Sequence, residues 1–167
     1  MNTYHQPIEV TDNDLALFVG KNSDYYLRKW ELMDKENEKN KWNLAAFLLP
    51  LWWTAYRRMY LYSWLFFGII TINTLFGILL RIPDIISSTV GLIIAIIYGL
   101  YGNAWYKKHT LKSILEVKMR VPDADKQKEE IIHAGGTNIT AVIGITICFL
   151  LIMLVLFVLK ARIPDYQ

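Results

Sequence analysis

The sequence predicts an all-α integral membrane protein with three transmembrane helices, a re-entrant or interfacial aromatic helix, and short amphipathic cytoplasmic helices. Three observations carry that reading. Hydrophobic residues make up 54% of the 167 and fall in blocks rather than at a helical or strand period. The blocks 61–80, 85–106 and 139–159 contain no charged residue, and each reaches the roughly 20 residues a helix needs to cross a hydrocarbon core about 30 Å thick. Lys and Arg gather between these blocks instead of within them. Backbone groups in lipid must be paired inside their own segment, so such blocks are expected to be helices.

In chain order, residues 1–40 are a polar amino-terminal segment expected to lie in the cytoplasm. It has no apolar core of the signal-peptide kind, so it is expected to be retained. Thr11 or Asp12 can cap a first helix that Gly20 ends, and Asn22 or Ser23 can start a second. In that second helix Tyr26, Trp30 and Met33 fall on one face. This stripe requires a cover: the membrane surface, the polar loop or another protein.

Residues 41–60, KWNLAAFLLPLWWTAYRRMY, fit the pattern least well. The apolar run 42–56 is short for a crossing, is interrupted by Pro50 and is closed by Arg57 and Arg58. It is expected to re-enter or lie at the interface with Trp42, Trp52, Trp53, Tyr56, Tyr60 and Tyr62 at headgroup depth, or else to pack against the spans. Residues 61–106 then form a transmembrane hairpin. In the basic amphipathic loop 107–138, Leu111, Ile114, Leu115 and Met119 make an apolar stripe that continues the second span, and a short helix follows Asp123 and stops at Gly135. Residues 139–167 supply the third span and a short external tail.

All but three of the 18 Lys and Arg lie before residue 59 or between residues 107 and 128; the exceptions are Arg81, Lys160 and Arg162. The positive-inside bias therefore predicts a cytoplasmic amino terminus and an external carboxyl terminus. That topology bears on a repeated string: RIPD at 81–84, RVPD at 120–123 and RIPD at 162–165. The middle copy falls on the opposite side from the others, so a shared binding role is not expected. Punctuation is: Pro turns the preceding residue away from helix, and Asp84 and Asp123 can cap the helices that follow.

Chemistry is sparse. Ionisable residues inside spans usually mark transport or catalysis, and these spans have none. His5, His109 and His133 are scattered without metal-ligand spacing, and the single cysteine, Cys148, lies within the third span. No catalytic, cofactor-binding or metal residue is expected, and no cofactor. The modest net charge of +3 follows from topology, so nucleic acid is not expected as a partner. Expected partners are the bilayer, a membrane or cytoplasmic protein, or a second copy. The candidate lipid or partner interface groups Asn43, Trp52, Tyr56, Arg57, Arg58 and Tyr60 with Asn103, Tyr106 and His109, because chain direction returns both sets to the inner surface. Small residues at every fourth position, Ser87, Gly91, Ala95 and Gly99 in the second span and Gly144 and Cys148 in the third, are candidates for close helix packing.

Four blocks in order, FVGKNSDYYLRKW (18–30), WNLAAFLLPLWWTAYRRMY (42–60), GLYGNAWYKKH (99–109) and GGTN (135–138), resemble those of the bacterial membrane-protein family known as domain of unknown function 2628. Leu49 and Asn138 stand where members often have Gly and Ser. Some relatives carry an amino-terminal zinc ribbon, for which this chain lacks the cysteines. The resemblance implies a small multi-pass bacterial membrane protein and supplies no activity. The expected function is a non-enzymatic inner-membrane anchor or regulator acting through its cytoplasmic face. Alternatives are self-protection against a bacteriocin or other membrane-active agent, and a transporter or channel subunit.

Overall fold

The computed structural model describes residues 9–35 and 42–163. Among these the regular elements are all helices: α1 (Asp12–Val19), α2 (Ser23–Lys35), α3 (Leu44–Leu48), α4 (Pro50–Tyr56), α5 (Tyr60–Leu79), α6 (Asp84–Arg120), α7 (Ala124–Ala134) and α8 (Ile139–Arg162). Three of them, α5, α6 and α8, are long and apolar enough to cross a membrane. Contacts divide the chain into two compact units. One comprises residues 42–102 and 138–167, the other 1–41 and 103–137, and α6 contributes to both.

The first unit holds α3, α4, α5, the 84–102 part of α6, and α8. Asn43 starts α3 by accepting the Ala46 amide through its side chain at 3.0 Å. Pro50 then cannot continue that helix and instead opens α4 as its first residue, where the missing N–H costs nothing. The aromatic segment is thus two short helices. α4 packs against α5 and α8, with Leu51 and Ala55 meeting Phe67 and Ile145 in a closed apolar core. The Trp52 indole donates to the Thr146 hydroxyl at 2.8 Å, and the Ser63 hydroxyl to that of Thr54 at 2.8 Å, so the polar groups here are paired. Outward, α5, α6 and α8 expose rows of Leu, Ile, Val and Phe, including Leu65, Ile72, Ile93, Leu150, Leu154 and Phe157. Faces this apolar are stable against acyl chains and not against water.

Asp84 corrects one expectation. α6 begins at Asp84 itself, and the first amides turn back to the Pro83 carbonyl, with Ile86 N–H at 2.9 Å. The Asp84 carboxylate instead accepts from Lys160 at 2.9 and 3.0 Å. Asp123, by contrast, does cap: its carboxylate accepts the Lys126 amide at 2.9 Å at the start of α7. Of the third RIPD copy, Arg162 ends α8, and Pro164 and Asp165 lie outside the described residues.

The second unit holds α1, α2, the 103–120 part of α6, and α7. A reciprocal capping box starts α1: Asp14 N–H donates to the Thr11 hydroxyl at 3.2 Å, and Thr11 N–H to the Asp14 carboxylate at 2.8 Å. Gly20 ends the helix with φ +65°, a left-handed value that suits glycine. The cover for the Tyr26, Trp30 and Met33 stripe is α6. Trp30 and Tyr26 pack their rings 5.5 and 4.9 Å from that of the fully buried Tyr106, and the Trp30 indole donates to the Asn103 carbonyl at 3.3 Å. This also corrects the expected stripe on α6. The buried line runs Asn103, Tyr106, Thr110, Ile114 and Val117, whereas Met119 is exposed and Leu111 and Leu115 are only partly covered.

Candidate functional site

The sequence-derived interface residues fall into two groups that belong to different units. Asn43, Trp52, Tyr56, Arg57, Arg58 and Tyr60 are in the unit with the spanning hairpin. Tyr56, Arg57, Arg58 and Tyr60 lie at the corner where α4 turns into α5 and α8 begins, Trp52 reaches Thr146 of α8, and Asn43 stands apart at the start of α3, its amide donating to the Gly99 carbonyl of α6 at 2.8 Å. Asn138 ties that corner together: its amide N–H donates to the Tyr56 carbonyl at 2.9 Å, and its side-chain NH2 to the Tyr60 hydroxyl at 2.9 Å. Its side-chain oxygen accepts the Ala141 amide at 2.9 Å, which caps α8. Asn138 was legible as the last letter of the GGTN block, but its three bonds were not.

Arg57 and Arg58 were expected as surface cations. Arg57 is instead only 4% exposed, with its guanidinium 5.7 Å from the Tyr56 ring centroid. Arg58 occupies the left-handed region at φ +59°, which costs a non-glycine residue about 1 kcal/mol and lets the chain reverse between α4 and α5. Arg57 therefore reads as a residue of the corner's interior.

Asn103, Tyr106 and His109 lie on one face of α6 in the other unit. Asn103 and Tyr106 are buried under α2 as described, and the His109 ring meets Phe18 of α1 edge-on at 6.0 Å. Burial holds the His109 pKa below its usual 6.5, opposed by the nearby Glu116 charge and aided by that of Lys112. The same unit holds an ion pair that had no signal in the linear pattern, because its partners are far apart in the chain: Lys118 donates to the Asp14 carboxylate at 2.5 Å, both side chains largely covered. Burial alone would raise the Asp14 pKa. The hydrogen bonds from Lys118 and from the Thr11 amide and hydroxyl outweigh it and bring the pKa below its usual 3.8.

Both shifts have the same sign for stability. The folded state disfavours the proton at each group, so each contributes stability that is complete above the ordinary pKa and lost as pH falls through the lowered one. Acidification should weaken this unit in two windows, one beginning below pH 6.5 for His109 and one below pH 3.8 for Asp14. Amide hydrogen exchange in α1 and α6 against pH checks this: His109→Gln should abolish the upper window alone, and a profile unchanged by that substitution would refute the assignment.

The small-residue positions divide as well. Gly99 packs so closely under Phe47 and Trp42 that a Cβ would stand 2.9 Å from each, Gly91 lies near Ile70, and a Cβ at Gly77 would meet the Ser87 hydroxyl at 2.8 Å. The α6 row, from Ser87 past Ala95 to Gly99, is thus engaged within the chain at three of its four positions. Among the described residues Gly144 on α8 has no neighbour from another element within 4 Å of a Cβ, and Cys148 is exposed. Among the described residues no three His, Cys, Asp or Glu side chains come together as metal ligands would.

With this arrangement in view, comparison with protein families finds a match to the family described as Protein of unknown function (DUF2628), over residues 12–111. The chain belongs to that family. The DUF2628 match runs from the first residue of α1 to residue 111, well into the second half of α6, so it takes in the α2–Tyr106 aromatic cluster and the α3–α4 break, and it leaves α7 and α8 outside. Comparison with curated proteins and with solved structures returned no match.

Proposed function

We propose that this DUF2628 protein is a non-enzymatic protein of the bacterial inner membrane that anchors or regulates a protein partner through a cytoplasmic helical unit. What supports the reading is the second face of α2. Its Tyr26, Trp30 and Met33 stripe is used up inside the unit, yet Tyr25 and Leu32 remain 54% and 39% exposed. They line a groove of about 420 Å3 together with Asp24, Arg28 and Lys29. The Lys29 ammonium bonds the Tyr25 hydroxyl at 2.9 Å and lies 5.2 Å from its ring centroid, which holds the aromatic in place. An exposed tyrosine and leucine beside two cations suit an amphipathic partner segment that brings apolar side chains to the groove and carboxylates to its rim. The concentration of Lys and Arg in two segments supports placing this unit in the cytoplasm.

A photoreactive residue at position 28 of the full-length chain, in native membranes, tests the proposal. The expected result is a protein adduct of defined mass that disappears in the Tyr25→Asp/Leu32→Asp variant while helical content stays constant. Adducts with lipid alone, or a protein adduct that survives the double substitution, would overturn it. An adduct confined to proteins of the opposite compartment would overturn the orientation. Self-protection or a transport subunit role would leave this face unused, so the same experiment separates the readings.

A further inference from the structure

We infer that residues 42–58 enter one leaflet and turn back within it, so that the spanning unit is a wedge that selects bilayer in which that leaflet is convex. The two ends of this segment lie at the same end of the unit. The Asn43 N–H donates to the Gly99 carbonyl of α6 at 2.8 Å. One residue earlier on α6, the Tyr98 hydroxyl donates to the Tyr62 carbonyl at 2.7 Å, near the start of α5. At the far end of the segment the Tyr56 carbonyl accepts the Asn138 amide at 2.9 Å, just ahead of α8.

Between these ends the chain goes inward. Leu51 packs with Phe67 and Ile145, and Trp52 bonds Thr146 with its ring 5.8 Å from that of Phe149. At about 1.5 Å per residue, Phe67 and Thr146 lie about 10 Å, and Phe149 about 15 Å, along α5 and α8 from the first residues of those helices. The start of α4 is thus a third to half of the way into a hydrocarbon core about 30 Å thick. A helix break at that depth requires its backbone to be paired within the protein. Here the Leu49 N–H donates to the Ala45 carbonyl at 2.9 Å, and the Leu49 carbonyl accepts the Trp53 amide at 2.8 Å. The Thr54 hydroxyl donates to the Pro50 carbonyl at 2.7 Å, and proline brings no N–H of its own.

The outward face of this segment is apolar. Leu44, Leu48 and Leu49 are 59%, 61% and 52% exposed, and no charged residue falls between 42 and 56. α3 lies against α6, with Phe47 at Gly99 and Ala46 at Gly102, so its outer face continues that of the spans and acyl chains are its occupant. Among the described residues the half of the unit near Tyr60 therefore holds five helical segments, α3, α4, α5, α6 and α8. The other half holds α5, α6 and α8 alone, each helix being about 10 Å across. A bilayer accommodates a body wider in one leaflet most readily where that leaflet is convex, because its lipids are spread apart there. Apolar helices inserted to the depth of one leaflet are curvature-sensitive for the same reason.

Single-cysteine variants of the full-length protein, in a Cys148→Ser background, test this in giant vesicles of dioleoyl phosphatidylcholine from which a narrow tube is drawn. A membrane-impermeant fluorophore added outside marks one orientation at a time. Through Lys112→Cys, exposed on the α6 residues that follow Gly102, it marks copies with the Tyr60 end outward. Through Leu80→Cys, exposed at the turn between α5 and α6, it marks copies facing the other way. The first population should be enriched on the tube about twofold over the vesicle, the scale of bilayer-shape penalties, and the second depleted. Leu44→Ser/Leu48→Ser, which withdraws α3 from the acyl chains, should bring both populations towards an even distribution. An even distribution of both in the parent protein, or any enrichment of the second, would overturn the wedge. Full enrichment retained by the double variant would overturn α3 as the inserted element.

Discussion

Gly135→Ala should destabilise the polar helical unit by about 3 kcal/mol, at the upper end of what overpacking usually costs. A Cβ at this position would stand 2.0 Å from the Phe18 carbonyl oxygen and 2.6 Å from its carbon, and both are backbone atoms that cannot rotate aside. The same carbonyl accepts the Gly136 amide at 2.6 Å, so separating the chains to admit the methyl also breaks that bond. α1 would be pried from α7, and Phe18, now almost fully buried, would lose its cover. The neighbouring glycine provides the comparison. Gly136 has φ +74° but open space around it, so Gly136→Ala should cost only the left-handed strain of about 1 kcal/mol. Thermal unfolding in detergent with hydrogen exchange in α1 and α7 should rank Gly135→Ala well below Gly136→Ala. The reverse order would mean that α1 and α7 do not meet as described.

Trp30→Ala should cost about 3–5 kcal/mol, the range for removing a large buried aromatic. Trp30 is 2% exposed and lies in a three-ring cluster, 5.8 Å from Tyr26 and 5.5 Å from Tyr106. Truncation would leave a cavity between α2 and α6 and leave the buried Asn103 carbonyl without the indole N–H it accepts at 3.3 Å. Trp30→Phe keeps most of the packing and should cost less, chiefly the hydrogen bond at about 1 kcal/mol plus the ring's lost volume. Trp64 on α5, 53% exposed, is the control, and its replacement by Ala should change stability by about 1 kcal/mol or less. Denaturant unfolding followed by helix content measures all three. If Trp30→Ala and Trp64→Ala proved equivalent, α2 would not be held by this cluster.

Much of the α architecture was visible in the linear pattern because its causes are local. The uncharged blocks correspond to α5, to the first part of α6 and to α8; the Thr11 cap, the Gly20 stop and the Asp123 cap were each signalled by residues within one helical turn of the bond they make. Where local signals competed, the pattern misled. Asp84 looked like a cap, yet Lys160 lies within reach only after α8 has packed, and a full positive charge is a stronger partner than a backbone amide. The α6 stripe was drawn through Leu111 and Met119 because hydrophobicity alone ranks them high. The face that is buried instead carries Asn103, Tyr106 and Thr110, and the aromatic side chains of α2 lie against its first turn at Asn103 and Tyr106.

For the candidate site the division is sharper. Residue types could nominate Asn43, Tyr60, Asn103 and Tyr106, but not what each touches: α3 is capped by the first, Asn138 is held by the second, and α2 is covered by the last two. Composition and block length determined by themselves that the chain is helical and carries three helices able to span a membrane, because lipid allows a single chain few ways to pair its backbone. Only tertiary structure decided that Arg57 is an interior residue, that Lys118 neutralises Asp14, and that Ser87 and Ser88 border a cavity. Those outcomes depend on which groups meet across tens of residues of chain, and pairing at that separation is set by the packing of whole helices, not by the preferences of the residues themselves.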